Sequence, residues 1–251
     1  MLKATSPANA SHILRAKGEG ESVRVVIITL DNHLRTLVQR ASDTLAIEAP
    51  GVELVMHAAT DWADKAGSLE ACHRDIAKGD IILVSMMFID EHIQAVLPAL
   101  AARRDHCDAL IGIMSAGEVV KMTKLGNFTM DGSDKGPLAM LKRMRGTKTK
   151  SGASSGAGQM AMLRRLPKLL KYIPGPAQDL RNYFLTMQYW LSGSQENVAS
   201  MVQNLIGRYA DGERRALRAK MHAAAPIDYP EVGLFHPHAE KRISERLEDL
   251  P

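Results

Sequence analysis

Apolar positions in the first half of the chain alternate between two patterns. Residues 24–30, RVVIITL, are an almost unbroken β-branched run, which is how a strand buried on both faces reads. Asp31 and Asn32 follow, residue types that cap helices. Leu34, Leu37, Val38, Ala41 and Leu45 then recur at helical spacing until Pro50-Gly51 stops them. Val52–Met56 reads as a second strand. Leu69, Cys72, His73 and Ile76 mark a second amphipathic helix ended by Gly79, and Asp80 leads into a third strand, IILVS, at 81–85. Ile89, Ile93, Val96, Leu97 and Leu100 mark a third helix, with a kink expected at Pro98. DALIGI at 108–113 reads as a fourth strand. The order βαβαβαβ predicts a parallel sheet covered on both faces with right-handed crossovers. Residues 22–145 are therefore expected to form a small doubly wound α/β domain, Rossmann-like or flavodoxin-like.

The pattern then changes. Residues 146–159, GTKTKSGASSGAGQ, are rich in Gly, Ser, Thr and Lys without periodicity, and read as a flexible linker. Residues 160–251 read as mainly helical. Leu163, Leu166 and Leu170 suggest a short helix interrupted at Pro167, and Pro174-Gly175-Pro176 is a break. Leu180, Tyr183, Phe184, Met187 and Leu191 share one helical face, and Ser192 to Gln195 has capping-box spacing. Val198, Met201, Val202, Leu205, Ile206 and Tyr209 form a strong apolar stripe ended by Asp211-Gly212. Prolines at 226, 230 and 237 predict an extended stretch over 226–238, and the chain closes on a charged helical fragment. These helices have wide apolar faces and no sheet of their own. They need the first domain or another polypeptide to cover them, so this segment reads as incomplete.

Composition adds little that is unusual. The chain has 251 residues, 45% hydrophobic and 24% charged, within the range of globular proteins. No apolar run approaches the roughly 18 residues that cross a bilayer. Residues 1–21 contain no secretory apolar region and read as a disordered leader. A transit peptide is the competing reading, because Lys3, Arg15 and Lys17 precede the first acid, Glu19, but the stretch shows little amphipathic periodicity. The two cysteines, Cys72 and Cys107, form no CxxC pair, which points to reduced thiols and a cytoplasmic location. The net charge is +4, and much of the excess lies between Lys142 and Lys150. Such a run can contact nucleic acid or an acidic partner. Without any helix-turn-helix, zinc-finger or RNP signature, a solvated linker edge explains it better.

Open α/β sheets bind ligands beyond the carboxyl ends of their strands. Those ends carry Leu30-Asp31-Asn32-His33, Met56-His57, Ser85-Met86-Met87 and Met114-Ser115-Ala116-Gly117-Glu118. Met86, Met87 and Met114 could line an apolar groove, although such methionines more often fill a core. There is no GxGxxG and no GxxxxGK[ST], which argues against ATP held in a P-loop. Glu118 and Lys121 read as solvent-facing helix residues. His236-Pro237-His238 with Glu240 is a weak metal motif, and His73 reads as a satisfied, half-buried histidine. Catalytic and cofactor-binding residues remain unassigned by the sequence, and no metal site is expected.

Five stretches carry a resemblance: RVVIITLDNHL at 24–34, DIILVSMMFIDEHI at 80–93, IMSAGEVVKMTKLGNFTM at 113–130, YWLSGSQENVASMV at 189–202 and PIDYPEVGLFHP at 226–237. Together they resemble the N-terminal region of the large porphyrin-binding (H) subunit of magnesium chelatase, in its bacteriochlorophyll-pathway form. More distantly, YWLSGSQEN and the DYP and LFHP elements resemble the cobaltochelatase large subunit. The resemblance implies a part in the ATP-dependent insertion of Mg²⁺ into protoporphyrin IX. It also implies two partner subunits, an AAA+ ATPase and an AAA+-related protein with an adhesion-type domain. Protoporphyrin IX, Mg²⁺ and ATP would then be used by the whole complex, with none held by this chain on its own. Members of that family are far longer than this chain, and their insertion residues have no counterpart here. The other reading is a non-catalytic α/β module that docks partner subunits.

Overall fold

The computed structural model describes residues 22–130, 166–229, 233–239, 243–249 and 251. The leader at 1–21, the basic stretch 142–150 and the linker 146–159 lie outside the described residues.

Four largely apolar runs form the parallel part of the sheet: β1 (Val23–Thr29), β2 (Val52–Ala58), β3 (Ile81–Ser85) and β4 (Ala109–Ile113). They pair in parallel in the order β2-β1-β3-β4. Every residue of β3 and β4 is buried, because helices cover both faces. The α/β fold expected from the sequence is formed, with the strand order of the flavodoxin type. A two-residue hairpin, β5 (Lys124–Leu125) and β6 (Phe128–Thr129), extends the sheet antiparallel beside β4. Strands this short have no periodicity to read.

The helices follow the sequence pattern closely. They are α1 (Arg35–Glu48), the single turn α2 (Asp61–Asp64), α3 (Ser68–Lys78), α4 (Asp90–Arg104) and α5 (Gly117–Lys121). Helix α4 runs through Pro98 without interruption. The cap of α1 differs from expectation: Leu34 occupies that position with no side-chain cap. The Asp31 carboxylate instead accepts from the His33 amide.

Handedness decides what happens next. The crossovers β2-α3-β3 and β3-α4-β4 both step the same way across the sheet, so a right-handed turn puts α3 and α4 on one face. Val26, Ile28, Ile82, Val84 and Leu110 pack there against Cys72, Ile76, Ile93, Val96 and Leu100. On the other face α1 alone comes from the βα units, and β3 and β4 need another roof. Helices α6 (Pro176–Ser192) and α7 (Gln195–Tyr209) supply it. Val198, Met201, Val202, Leu205, Ile206 and Tyr209 are all buried in one core with Val25, Ile27, Leu83, Ile111, Val38 and Leu45. The first domain thus covers the apolar stripe of the helical segment, and the stripe is not free to dock a partner.

Polar contacts fix this roof in register. Gln195 Nε2 donates to Thr44 Oγ1 (2.9 Å) and Gln203 Nε2 to Glu48 Oε2 (3.1 Å), tying α7 to α1. Tyr183 OH donates to the Gly112 carbonyl at 3.1 Å. Gly193, with φ 54°, ends α6, and Ser194 caps α7 by accepting from the Asn197 amide at 3.2 Å. The cap is therefore Ser194, two residues beyond the start of the box read from the sequence. Helical residues 166–170 include Pro167 without a break. A 3-10 helix, Gly212–Lys220, follows α7. The C-terminal stretch holds a ribbon of β7 (Leu234–Phe235) and β8 (Ile243–Ser244) and a 3-10 turn at Leu247–Asp249. Where a charged helical fragment was expected, the described residues 243–249 form a short strand and a single 3-10 turn.

Gly112 in β4 lies directly under α5. A Cβ at this position would stand 2.5 Å from the Val119 carbonyl oxygen and 2.9 Å from its carbon. Backbone cannot move aside as a side-chain tip can. Gly112→Ala is expected to destabilise the fold by about 2 kcal/mol, read as a lower urea midpoint at unchanged slope.

Candidate functional site

The carboxyl edge of the sheet holds two loops latched to each other. Met86 N–H donates to the Met114 carbonyl (3.0 Å), Ala116 N–H to the Met87 carbonyl (2.9 Å) and Met87 N–H to Ser115 Oγ (3.1 Å). Met86 (φ 59°) and Met114 (φ 45°) both take the left-handed conformation, which costs a side-chain-bearing residue about 1–2 kcal/mol. The three methionines read as a groove divide between two roles. Met87 is fully buried core, whereas Met86 is half-buried and Met114, like Phe88 and Ile89, is exposed. Glu118 and Lys121 face solvent, as expected.

The histidines are mostly committed to structure. His73 is half-buried and donates Nε2–H to the Ala95 carbonyl at 2.7 Å. His57, at the end of β2, lies 2.8 Å from Asp75, and Arg24 bridges Asp75 (2.5 Å) and Glu53 (2.8 Å). Burial raises the Asp75 carboxyl, but the hydrogen bond and charge of His57 and the Arg24 guanidinium outweigh it and hold the group below its usual range. A depressed folded value contributes stability above the unfolded value, which is lost as pH falls through the folded one. Asp75→Asn is therefore expected to lower the urea midpoint at pH 7, with the gap to the native protein closing below about pH 4. The rings of His236 and His238 meet edge to face with centroids 5.7 Å apart. Glu240, the acid considered with them, lies outside the described residues. Among the described residues no three His, Cys, Asp or Glu side chains come together to hold a metal. Burial pushes the Cys72 thiol up to about 12 and raises that of Cys107, so both are inert.

A cavity of about 550 Å³ lies at the β1 end of this edge, between His33 and the first turns of α1, the α6–α7 junction and the C-terminal stretch. Leu37, Ile227, Tyr229, Phe235 and Ile243 make its apolar walls, and Arg40, His33 and Glu196 stand at its polar side. Its volume falls within the range of ligand sites. Sequence reasoning placed His33 at the ligand side of the sheet but not the other walls, which come from segments some 190 residues apart that no local pattern joins.

Residues 24–184, from β1 into α6, match the family model described as Domain of unknown function (DUF3479). The chain belongs to this family. Over 228 residues it is 46% identical to the magnesium-chelatase H subunit of Rhodobacter capsulatus, covering 90% of this chain and 19% of that protein. The Cereibacter sphaeroides H subunit is 45% identical over 227 residues, with the same coverage. The chloroplastic magnesium-chelatase ChlH subunit of Oryza sativa subsp. indica is 29% identical over 234 residues, 91% of this chain and 16% of that protein. The resemblance is to the N-terminal region of these proteins. The chain thus spans 19% of the length of the two bacterial relatives. The DUF3479 match runs through both the sheet and the start of its helical roof, the two parts that share one core here. Among the described residues no helix is long and apolar enough to cross a membrane.

Proposed function

We propose that this chain is the N-terminal part of the porphyrin-binding subunit of a magnesium chelatase. The complete enzyme inserts Mg²⁺ into protoporphyrin IX during bacteriochlorophyll synthesis in the cytoplasm. ATP is hydrolysed on an AAA+ partner subunit, coupled through an AAA+-related partner with an adhesion-type domain. The observation that carries this reading is the 46% identity to a magnesium-chelatase H subunit over 90% of the chain. The lack of a GxxxxGK[ST] motif agrees with ATP being held on another polypeptide.

The chemistry explains why this region acts within something larger. Mg²⁺ sheds its waters reluctantly and prefers octahedral oxygen coordination. The macrocycle must lose two pyrrole protons, which requires a positioned base. This chain contributes a rigid doubly wound head whose second face is sealed by α6 and α7. We assign residues 22–145 to the α/β part of this head and 160–251 to the start of the chelatase domain, whose α6 and α7 pack on the head as its roof.

The test is reconstitution. The complete subunit carrying these residues is combined with both partner subunits, ATP, Mg²⁺ and protoporphyrin IX, and Mg-protoporphyrin fluorescence is followed. Steady product formation is expected, falling at least about tenfold when residues 22–251 are deleted, a barrier change of about 1.4 kcal/mol or more. A complete subunit that yields no Mg-protoporphyrin with partners known to be active would refute the reading.

A further inference from the structure

The strand order turns back at β1, which has β2 on one side and β3 on the other. Open α/β sheets take ligands at such a turning point, beyond the carboxyl ends of the strands. The cavity of about 550 Å³ lies there, lined by His33 just after β1 and by the first turns of α1.

The segments around it are fastened in place. Leu37 of α1 packs against the main core. The left-handed Gly193 and the Ser194 cap set the α6–α7 junction, and the Gln195 side chain is tied to Thr44. Ile227 is held from both sides by Asn197, whose side chain donates to its carbonyl (2.9 Å) and accepts from its amide (2.8 Å). Asn197 is itself fully buried. Walls fixed in this way reduce the ordering that a ligand must drive.

The charges in the cavity narrow what it takes. Arg40 and Glu196 both line it and both are exposed. Among the described residues neither side chain has an ion pair or hydrogen bond, with each other or with anything else. The His33 ring is already paired with Asp31. A guanidinium is a planar fork that fits a carboxylate, and a free carboxylate accepts from an ammonium. A ligand with one charge satisfies one of these groups and meets the other as a like charge. A ligand with both charges is attracted by both. Leu37, Ile227, Phe235 and Ile243 then offer apolar surface to the rest of the molecule.

We propose that this cavity binds a free α-amino acid with a large apolar side chain. Its carboxylate pairs with Arg40, its ammonium with Glu196, and its side chain is buried against the apolar walls. The site does not depend on the chelatase reading and takes no part in metal insertion.

Calorimetric titration of the 251-residue chain near neutral pH tests this. L-tryptophan is expected to bind at one site with a Kd on the order of 0.1 mM. Indole-3-propionate, which lacks the ammonium, and tryptamine, which lacks the carboxylate, are each expected to bind at least about tenfold more weakly. Glycine, which keeps both charges and has no side chain, is expected to give no measurable heat. Absence of tryptophan binding up to about 10 mM, or equal affinity for tryptophan and any one of the other three, would overturn the proposal. Two variants then assign the charges. Arg40→Gln is expected to weaken tryptophan and indole-3-propionate about tenfold and to leave tryptamine unchanged, and Glu196→Gln is expected to do the converse to the two analogues. A variant that weakens both analogues equally, or neither, would also overturn it. Both side chains are exposed and unpaired, so each variant is expected to keep the urea midpoint of the native protein.

Discussion

Leu205→Asp is expected to remove a large part of the stability of this chain. Leu205 is fully buried in α7, in the core shared with β1, β3, β4 and α1. An unpaired carboxylate placed there costs about 4 kcal/mol or more, against a total stability of about 5–15 kcal/mol for an ordinary domain. Leu205→Ala, which leaves a cavity instead of a charge, is expected to cost about 3 kcal/mol. Urea unfolding followed by circular dichroism reads both. The chain's two tryptophans make the experiment sharper. Trp190 belongs to the core under α6 and α7, and Trp62 packs against the core on the opposite face of the sheet. Single-tryptophan versions of Leu205→Ala are expected to show the same shifted midpoint from either reporter. Loss of the Trp190 signal with Trp62 still native would mean that the helical segment unfolds by itself.

Arg214→Ala is expected to lower stability by about 2–3 kcal/mol. Arg214 lies in the 3-10 helix after α7 and reaches the amino edge of the sheet. Its Nε and Nη2 donate to the two Asp108 oxygens at 3.1 and 3.0 Å, and its Nη1 lies 3.4 Å from Asp80. The Asp108 side chain is only 7% exposed and also accepts from the Asp211 amide at 3.1 Å. Removing the guanidinium leaves that carboxylate without its main counter-charge. Arg214 is 28% exposed, so solvent screens part of the loss, and the expected effect lies below that of a fully buried pair. Arg215, one residue on, is 72% exposed and 3.9 Å from Asp211. Arg215→Ala is expected to change stability by less than about 0.5 kcal/mol. Equal effects at the two positions would remove Arg214 as the clasp between roof and sheet.

The candidate site was less legible than the fold. The methionines at the ends of β3 and β4 stand out in the sequence, yet their side chains took opposite fates. Met87 continues into the core, while the left-handed backbone at Met86 and Met114 turns those residues at the rim. Nothing in MM or MS pairs announces a positive φ, since the latch between the loops imposes it. Most of the cavity's walls were illegible for a related reason. Leu37 reads as an ordinary helix residue and Phe235 as part of a proline-rich stretch, and only the path of the chain brings them together.

The amino-acid sequence by itself determined the four parallel strands, the helices α1, α3, α4, α6 and α7, the parallel α/β class and the family resemblance. Each depends on local spacing of apolar residues or on contiguous motifs, and both are carried by neighbours along the chain. Tertiary structure alone decided which face α6 and α7 would cover, that Ser194 rather than Ser192 caps α7, and that Arg214 meets Asp108 across 106 positions. Those outcomes follow from the handedness of the crossovers and from burial. Two successive crossovers stepping the same way left half of one sheet face bare, and the widest apolar stripe in the chain was the surface that could close it.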